Sequence, residues 1–250
     1  MASTVSSEQI SEFREKGVTV LRGVFSNWVD LLRKGVDANM ADPDPNARIY
    51  TGKDGGGRFF VDYCNWARIT EYKEFIFNSN AATIGAELMD SKKVQLFHEH
   101  VLVKEAATGV PTPWHQDAPY YCVDSAKTVS LWIPLDDVPR ETTPEFISGS
   151  HKWDKFYRPQ RFDGSALNEH DGLEDIPDID GHRGDYDILG WAVGPGDAIA
   201  FDYRTIHGAP ANASLSNQRR AFSLRLVGDD TRFVRREGIV TSPPFPGVTL

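Results

Sequence analysis

The chain is organised around one stretch, which reads Pro113-Trp114-His115-Gln116-Asp117-Ala118-Pro119-Tyr120-Tyr121. At its centre a histidine and an aspartate stand two residues apart. On an extended strand, the side chains of residues i and i+2 point to the same face. His115 and Asp117 can therefore bind one metal ion together, while Gln116 faces away.

A metal site needs a third ligand, and His207 is the best candidate. It lies in the stretch Phe201-Asp202-Tyr203-Arg204-Thr205-Ile206-His207-Gly208-Ala209-Pro210. Two histidines and one carboxylate on one side of a metal leave the opposite coordination positions open, which is typical of non-haem Fe(II) oxygenases. The competing interpretation is that the three polar residues are satisfied by ordinary hydrogen bonds.

An arginine beyond a turn adds weight to the metal interpretation. Arg219 follows His207 by twelve residues, and residues 208–214 between them are rich in turn-forming types. A strand, a turn and a returning strand would bring Arg219 near the metal. A guanidinium there can hold a carboxylate through two parallel hydrogen bonds. The neighbouring Arg220 stays open as an alternative, because alternation places the two side chains on opposite faces of the strand.

These features together resemble the Fe(II)/2-oxoglutarate oxygenases, and within them the phytanoyl-CoA dioxygenase family. The resemblance runs from about Glu8 to Pro246 and is carried by five stretches: Trp114-His115-Gln116-Asp117, Trp132-Ile133-Pro134-Leu135-Asp136-Asp137, Ser148-Gly149-Ser150-His151, Pro195-Gly196-Asp197 and His207-Gly208-Ala209. It implies an enzyme that binds Fe(II) through His115, Asp117 and His207. It also implies that the enzyme consumes 2-oxoglutarate and dioxygen and releases succinate and carbon dioxide.

The resemblance also implies roles around the cosubstrate. The cofactor arginine of the family precedes a basic residue and an alanine, which matches Arg219-Arg220-Ala221 and favours Arg219 as the carboxylate ligand. Thr112 and Trp132 match family positions around 2-oxoglutarate, although a strand-edge threonine and a core aromatic are the alternatives. Family relatives that halogenate carry a small residue in place of Asp117, so the retained carboxylate implies hydroxylation or a related oxidation.

Four further residues are candidates for substrate binding. His98 and His100 share one face of a predicted strand over 94–104, and Arg58 is a candidate for the pocket mouth. Arg225 shares the inward face of Arg219, and no acidic partner is evident nearby on its strand. A buried guanidinium is costly without an anion, so we expect a small substrate that carries a carboxylate or a similar anion. The alternative is that Arg225 pairs internally with a loop carboxylate.

The order of predicted elements indicates a mainly β fold with flanking helices. Helical patterns occur near the N-terminus and in residues 69–89, and short strands separated by Gly and Pro turns follow. The predicted strands cover 94–104, 112–117, 128–134, 146–147, 191–193, 197–203 and 219–227. This pattern favours a jelly roll braced by N-terminal helices, and the family resemblance implies the same cupin-like architecture, a double-stranded β-helix.

Length and charge limit the other possibilities. The 250 residues fit one domain, residues 1–250, with an acidic, lid-like insertion at about 156–188. The net charge is −9, and residues 163–187 alone contribute −8. No basic stripe indicates nucleic-acid binding, and no apolar run approaches the ~20 residues of a membrane span. No secretory signal is visible and the two cysteines indicate no disulfide framework, so the default expectation is a cytoplasmic location.

Two other functions remain possible on the sequence alone. One is a metal-dependent enzyme of the cupin kind that does not use 2-oxoglutarate, and consumption of added 2-oxoglutarate would distinguish it. The other is a jelly roll that binds a small molecule without catalysis. The intact set of His115, Asp117 and His207 argues against the second possibility.

Overall fold

A computed structural model describes residues 4–52, 55–168, 172–212, 214–235 and 240–243. The helices in these ranges are α1 (Ser7–Lys16), α2 (Val29–Ala41), α3 (Thr70–Asn78) and α4 (Ala81–Met89). The strands are β1 (Val18–Leu21), β2 (Arg48–Thr51), β3 (Arg58–Tyr63), β4 (Gln95–Lys104), β5 (Thr112–His115), β6 (Val123–Asp124), β7 (Thr128–Pro134), β8 (Glu145–Ile147), β9 (Ile188–Leu189), β10 (Ala198–Phe201), β11 (His207–Ala209), β12 (Arg219–Val227) and β13 (Arg232–Phe233).

Two antiparallel sheets carry the fold. The larger has the strand order β1-β10-β7-β12-β4-β3-β2, and the smaller has the order β5-β11-β8-β9. The two sheets meet in a buried cluster to which Trp132, Phe201 and Ala221 contribute from the larger sheet and Phe146 from the smaller. The expected jelly roll with flanking helices is thereby confirmed.

The helices pack against the outer face of the larger sheet. The side chains of Phe222, Leu224 and Leu226 on β12 enter the same buried cluster as Tyr72 of α3 and Ile84 of α4. The intervening residues of β12 point to the other face and line a cavity. Because strand side chains alternate with a period of two, this single strand supplies both the core under the helices and one wall of the cavity.

Helix α1 shows how local sequence sets an element. The Ser6 hydroxyl accepts a hydrogen bond from the Gln9 backbone N–H, and the Gln9 side chain accepts one from the Ser6 N–H, which together form a capping box. Gly17 ends the helix with φ at 79°. A Cβ atom at Gly17 would lie 2.4 Å from Nδ1 of His151, so the close approach also requires glycine.

The strand predictions differ from the structure in several places. Residues 191–193 form no strand, and β9 lies earlier at Ile188–Leu189; within 191–193, Val193 makes only an isolated bridge to Val138. The strand predicted over 112–117 ends at His115. The hairpin of β2 and β3 was not predicted. In the part of the chain that the structure describes, no helix is long and apolar enough to cross a membrane.

Phe222 tests the packing between sheet and helices. Its side chain is fully buried, with ring centroids 4.8 Å from Tyr72 and 5.5 Å from Phe75. Phe222→Ala should lower the free energy of unfolding by about 3–5 kcal/mol, because it leaves a cavity in the core. Phe233→Ala is the matched control, since Phe233 is 61% exposed. Urea unfolding that shows equal losses for the two variants would contradict this packing.

Candidate active site

The three predicted metal ligands meet at one point. His115 and His207 are direct partners across β5 and β11, with ring centroids 4.2 Å apart. Asp117 follows β5 in a helical conformation, φ −73° and ψ −39°, so the i and i+2 geometry of a continuous strand is not what aims it. Its Oδ1 atom lies 3.6 Å from Nε2 of His115 and 3.9 Å from Nε2 of His207.

Both imidazole rings are oriented as metal ligands require. Nδ1 of His115 lies 2.8 Å from the Pro113 carbonyl oxygen, and Nδ1 of His207 lies 2.9 Å from that of Thr205. Since a carbonyl only accepts, each Nδ1 is the donor, and each Nε2 is the ring atom that faces Asp117 and can bind a metal. Burial, followed by the neighbouring His115, lowers the pKa of His207 to about 3. The ring is therefore neutral, which is the form that binds a metal.

Asp117 is held ionised by groups on its far side. Its Oδ2 atom accepts a hydrogen bond of 3.1 Å from the Ser130 hydroxyl and lies 3.2 Å from Nη2 of Arg225. Burial alone would raise the pKa of Asp117, but the Arg225 guanidinium and the histidines hold it well below its usual range. Two imidazole nitrogens and one carboxylate oxygen therefore lie together, and this donor set fits Fe(II) with open positions.

Arg225 therefore has an acidic partner, contrary to what its own strand indicated. Nε of Arg225 donates a 2.5 Å hydrogen bond to the Tyr121 hydroxyl, and Nη2 pairs with Asp117. The partner comes from a distant part of the chain, which strand alternation cannot reveal. The structure thus favours the internal pair over a free substrate-binding cation.

A cavity of about 330 Å³ leads from the three ligands to a buried pair of cations. Arg219 and Lys104 are direct partners across β12 and β4, and their exposed fractions are 7% and 1%. Nη1 of Arg219 donates to the Thr142 carbonyl, and Nζ of Lys104 donates to the Pro210 carbonyl at 3.1 Å. Among the described residues, no carboxylate forms an ion pair with either side chain.

Burial acts on the pKa of both cations. It lowers the pKa of Arg219 to about 10, and together with the Arg219 charge it lowers the pKa of Lys104 well below its usual range. Two cations buried side by side without an acid favour binding of an anion there. Lys104 was missed by the sequence reasoning, although alternation places it on the same face of β4 as His98 and His100.

Arg220 occupies the opposite face of β12. Its Nε and Nη2 atoms donate to the two oxygens of Asp136 at 3.1 and 2.7 Å, and it does not line the cavity. Because its guanidinium already holds a carboxylate of the protein, the geometry favours Arg219 as the ligand of an anion in the cavity.

The other predicted site residues divide into two groups. Thr112, Trp132, His98 and His100 all line the cavity. Burial lowers the pKa of His98 to about 3 and that of His100 well below its usual range, so both rings are neutral. The structure does not bring Arg58 to the cavity, which corrects its predicted place at the mouth. Its exposed guanidinium turns outward and bonds Oε1 of Glu105 through Nε at 2.9 Å and Nη2 at 2.6 Å.

The acidic insertion contributes one wall of the cavity. Tyr157 and Ile179 of this segment are buried against the smaller sheet, so the segment is packed onto the fold. Gln160, Arg161, Phe162 and Leu167 line the cavity. Residues 169–171 of the insertion lie outside the described residues. The position of the wall is compatible with the predicted cover, whose movement stays a prediction.

Comparison with protein families identifies one match that covers most of the chain. The family model of phytanoyl-CoA dioxygenase (PhyH) matches residues 13–221. No curated protein matches the sequence significantly.

Several solved structures share the fold. The epimerase SnoN, in complex with Fe3+, alpha-ketoglutarate and nogalamycin RO, has a TM-score of 0.75 at 20% identity, over 97% of this chain and 91% of its own. The carbocyclase SnoK from nogalamycin biosynthesis has a TM-score of 0.73 at 20% identity, over 92% of this chain and 87% of its own. EctD from S. alaskensis, with 2-oxoglutarate and 5-hydroxyectoine, has a TM-score of 0.72 at 19% identity, over 98% of this chain and 83% of its own. At this level of identity the likeness establishes the fold.

The histidine and aspartate cluster can be tested by metal binding alone. His115→Ala and His207→Ala should each weaken Mn(II) binding by more than about a hundredfold, because loss of a ligand exceeds loss of a supporting hydrogen bond. Isothermal titration calorimetry measures the affinity. His182→Ala is the control, since His182 is exposed and outside the cluster. If both cluster variants bind Mn(II) as the parent does, the metal assignment is wrong.

Proposed function

Because the chain belongs to the phytanoyl-CoA dioxygenase family, we propose that it hydroxylates a small organic molecule with Fe(II) held by His115, Asp117 and His207. The chain is a non-haem Fe(II)- and 2-oxoglutarate-dependent enzyme. When bound, the iron and its cosubstrate supply the oxidising chemistry, in which 2-oxoglutarate and dioxygen are converted to succinate and carbon dioxide. The residue roles and the hydroxylation of the substrate are our proposals.

One observation carries the residue assignment, namely the cavity that joins the metal ligands to the buried Arg219–Lys104 pair. 2-Oxoglutarate has a carboxylate at each end, with a 2-oxo group beside one of them. The 2-oxo acid end would face the three metal ligands, and the distal carboxylate would lie against the cations. Arg219 can hold this carboxylate through two hydrogen bonds, and Lys104 adds charge beside it.

The walls of the cavity would orient the cosubstrate and exclude water. Trp132 is 6% exposed and lines the cavity from β7, while Ala221 lines it from β12 between the cationic end and the metal end. Thr112 offers a hydroxyl from β5. We assign Trp132 and Thr112 to cosubstrate contact on this placement, and Arg225 to keeping the Asp117 carboxylate ionised and correctly turned.

The size of the cavity supports a small substrate. Its volume of about 330 Å³ must hold both 2-oxoglutarate and the reacting part of the substrate, and ligand pockets typically measure ~300–1,000 Å³. A carboxylate at position 117 occupies the place that a halide would need, which supports hydroxylation. His98 and His100 are proposed to contact the substrate, as neutral rings on the cavity face of β4.

The cosubstrate assignment separates Arg219 from Arg220. Arg219→Gln should raise the apparent KM for 2-oxoglutarate by roughly thirtyfold or more, because loss of a buried carboxylate contact costs about 2–5 kcal/mol. Arg220→Gln should change it little, since Arg220 binds Asp136. Succinate formation in the presence of Fe(II) measures both. A larger rise in KM for Arg220→Gln than for Arg219→Gln would mean that Arg220, not Arg219, faces the cavity. The absence of any succinate in the parent enzyme would contradict the proposed function.

We also propose that the 156–188 segment covers the cavity when its ligands bind, since this chemistry requires exclusion of water. Trypsin cleavage after Arg161 should be slowed by 2-oxoglutarate together with Mn(II), because Arg161 lines the cavity. Cleavage after Arg232, which lies outside that cavity, serves as the internal control and should not change. Mass spectrometry of the timed digests measures both rates, and equal rates with and without ligands at Arg161 would rule out such a cover.

A further inference from the structure

One wall of the cavity is aromatic and runs from the exposed mouth inward to Phe59, which is 1% exposed and has Nζ of Lys104 4.7 Å from its ring centroid. Three aromatic rings lie in contact there, with centroid separations of 6.1 Å for Tyr50 and Phe59, 5.5 Å for Tyr50 and Phe162, and 5.0 Å for Phe59 and Phe162. Two come from the β2–β3 hairpin and one from the acidic insertion. Such a wall fits the apolar or aromatic part of a ligand.

Two arginines flank this aromatic wall. Arg48 on β2 and Arg161 in the insertion both line the cavity and are exposed. Nη1 of Arg161 donates to the Ala166 carbonyl, which holds the guanidinium in place. Both charges act on the Tyr50 hydroxyl: burial and the Asp163 carboxylate raise the pKa of Tyr50, and Arg48 and Arg161 oppose that rise. They therefore lie close to the same end of the cavity.

Neither arginine forms an ion pair within the described ranges of the chain. Other arginines, such as Arg22, Arg158 and Arg220, each pair with a carboxylate. The nearby Asp163 instead accepts two hydrogen bonds from Ser165, through the backbone N–H and the hydroxyl. Arg48 and Arg161 together with Asp163 still sum to a charge of +1 at the mouth, on a protein whose net charge is −9, and this local excess favours entry of anions.

We propose that the substrate is an organic anion whose carboxylate or phosphate group binds between Arg48 and Arg161, while an aromatic or apolar part lies against Tyr50, Phe59 and Phe162. This inference rests on the proposed function for the reaction itself. It moves the anion away from Arg225, which is engaged by Asp117, to the outer end of the cavity. The reacting carbon would then lie toward the metal, between the aromatic wall and His100.

Binding of simple probes tests the mouth without turnover. Phenylacetate, phenyl phosphate and the neutral phenylacetamide present a similar ring with different charges. Each is titrated by calorimetry into the protein with saturating Mn(II) and 2-oxoglutarate, so that the Arg219 end is filled. At least one anionic probe should bind about tenfold more tightly than the amide, because a charge-assisted hydrogen bond contributes about 1.5–3 kcal/mol. Whichever of the two anionic probes binds more tightly shows whether the mouth prefers a carboxylate or a phosphate group.

Substitutions test whether the two mouth arginines themselves bind the anionic probe. Arg48→Gln and Arg161→Gln should each weaken the preferred anion about tenfold and leave the amide unchanged. Arg14→Gln is the matched control, since Arg14 is exposed on α1 and does not line the cavity. Arg219→Gln should retain the discrimination between anion and amide at the mouth, even where 2-oxoglutarate turnover is lost.

Failure of this inference is distinguishable from failure of the proposed function. Equal affinity of anionic and neutral probes, no binding of either anion, or unchanged affinity in both mouth variants would overturn the anionic substrate. Succinate formation in the parent enzyme would be unaffected by that result. Conversely, preserved anion discrimination in a protein that forms no succinate would leave the mouth assignment standing and remove the oxygenase proposal.

Discussion

The ion pair between Asp117 and Arg225 is the interaction on which the site depends. A fully buried carboxylate is stable as an anion only when a charge and hydrogen bonds compensate its lost hydration. Arg225 and Ser130 act on Oδ2, which leaves Oδ1 turned toward the two histidines. The pair also joins the two sheets at the metal cluster, because Arg225 lies on β12 of the larger sheet and Asp117 follows β5 of the smaller. Without the Arg225 charge, burial would favour a neutral Asp117 carboxyl group, which is a poorer metal ligand than a carboxylate.

Charge in the cavity is arranged from the inside outward. Arg219 and Lys104 are buried, and no acid of the described residues pairs with them. The proposed metal ligands line the same cavity, and Arg48 and Arg161 lie exposed at its mouth. Since desolvated charges interact more strongly than exposed ones, the buried pair suits tight binding of a common cosubstrate. The exposed pair suits selection of the incoming molecule. The acidity of the chain lies mainly in residues 163–187. Its described carboxylates form no ion pair with Arg219, Lys104, Arg48 or Arg161.

A single strand, β12, serves several roles in the protein. Strand β12 supplies Arg219, the arginine proposed to bind the cosubstrate, then Arg225, which holds Asp117, and three core residues under the helices. Because alternation serves both faces at once, a shift of one residue in its register would exchange Arg219 for Arg220 and bury the wrong set. The Asp136 carboxylate, which binds Arg220 from the opposite face, stabilises the observed register.

The sequence by itself predicted the jelly roll, the cluster of His115, Asp117 and His207, and the cavity face of β12. The jelly roll and the face of β12 follow from short-range alternation. The cluster follows from motifs that resemble one family throughout the chain, because Asp117 lies beyond the end of β5. The sequence did not reveal that Asp117 is the partner of Arg225, that Lys104 lies beside Arg219, or that Phe162 closes on Tyr50 and Phe59. It also placed Arg58 at the mouth, whereas Glu105 turns its guanidinium outward. Only the tertiary structure decided these pairings. A strand pattern tells which face a side chain takes, but the register between strands and the path of long loops select its partner across the fold.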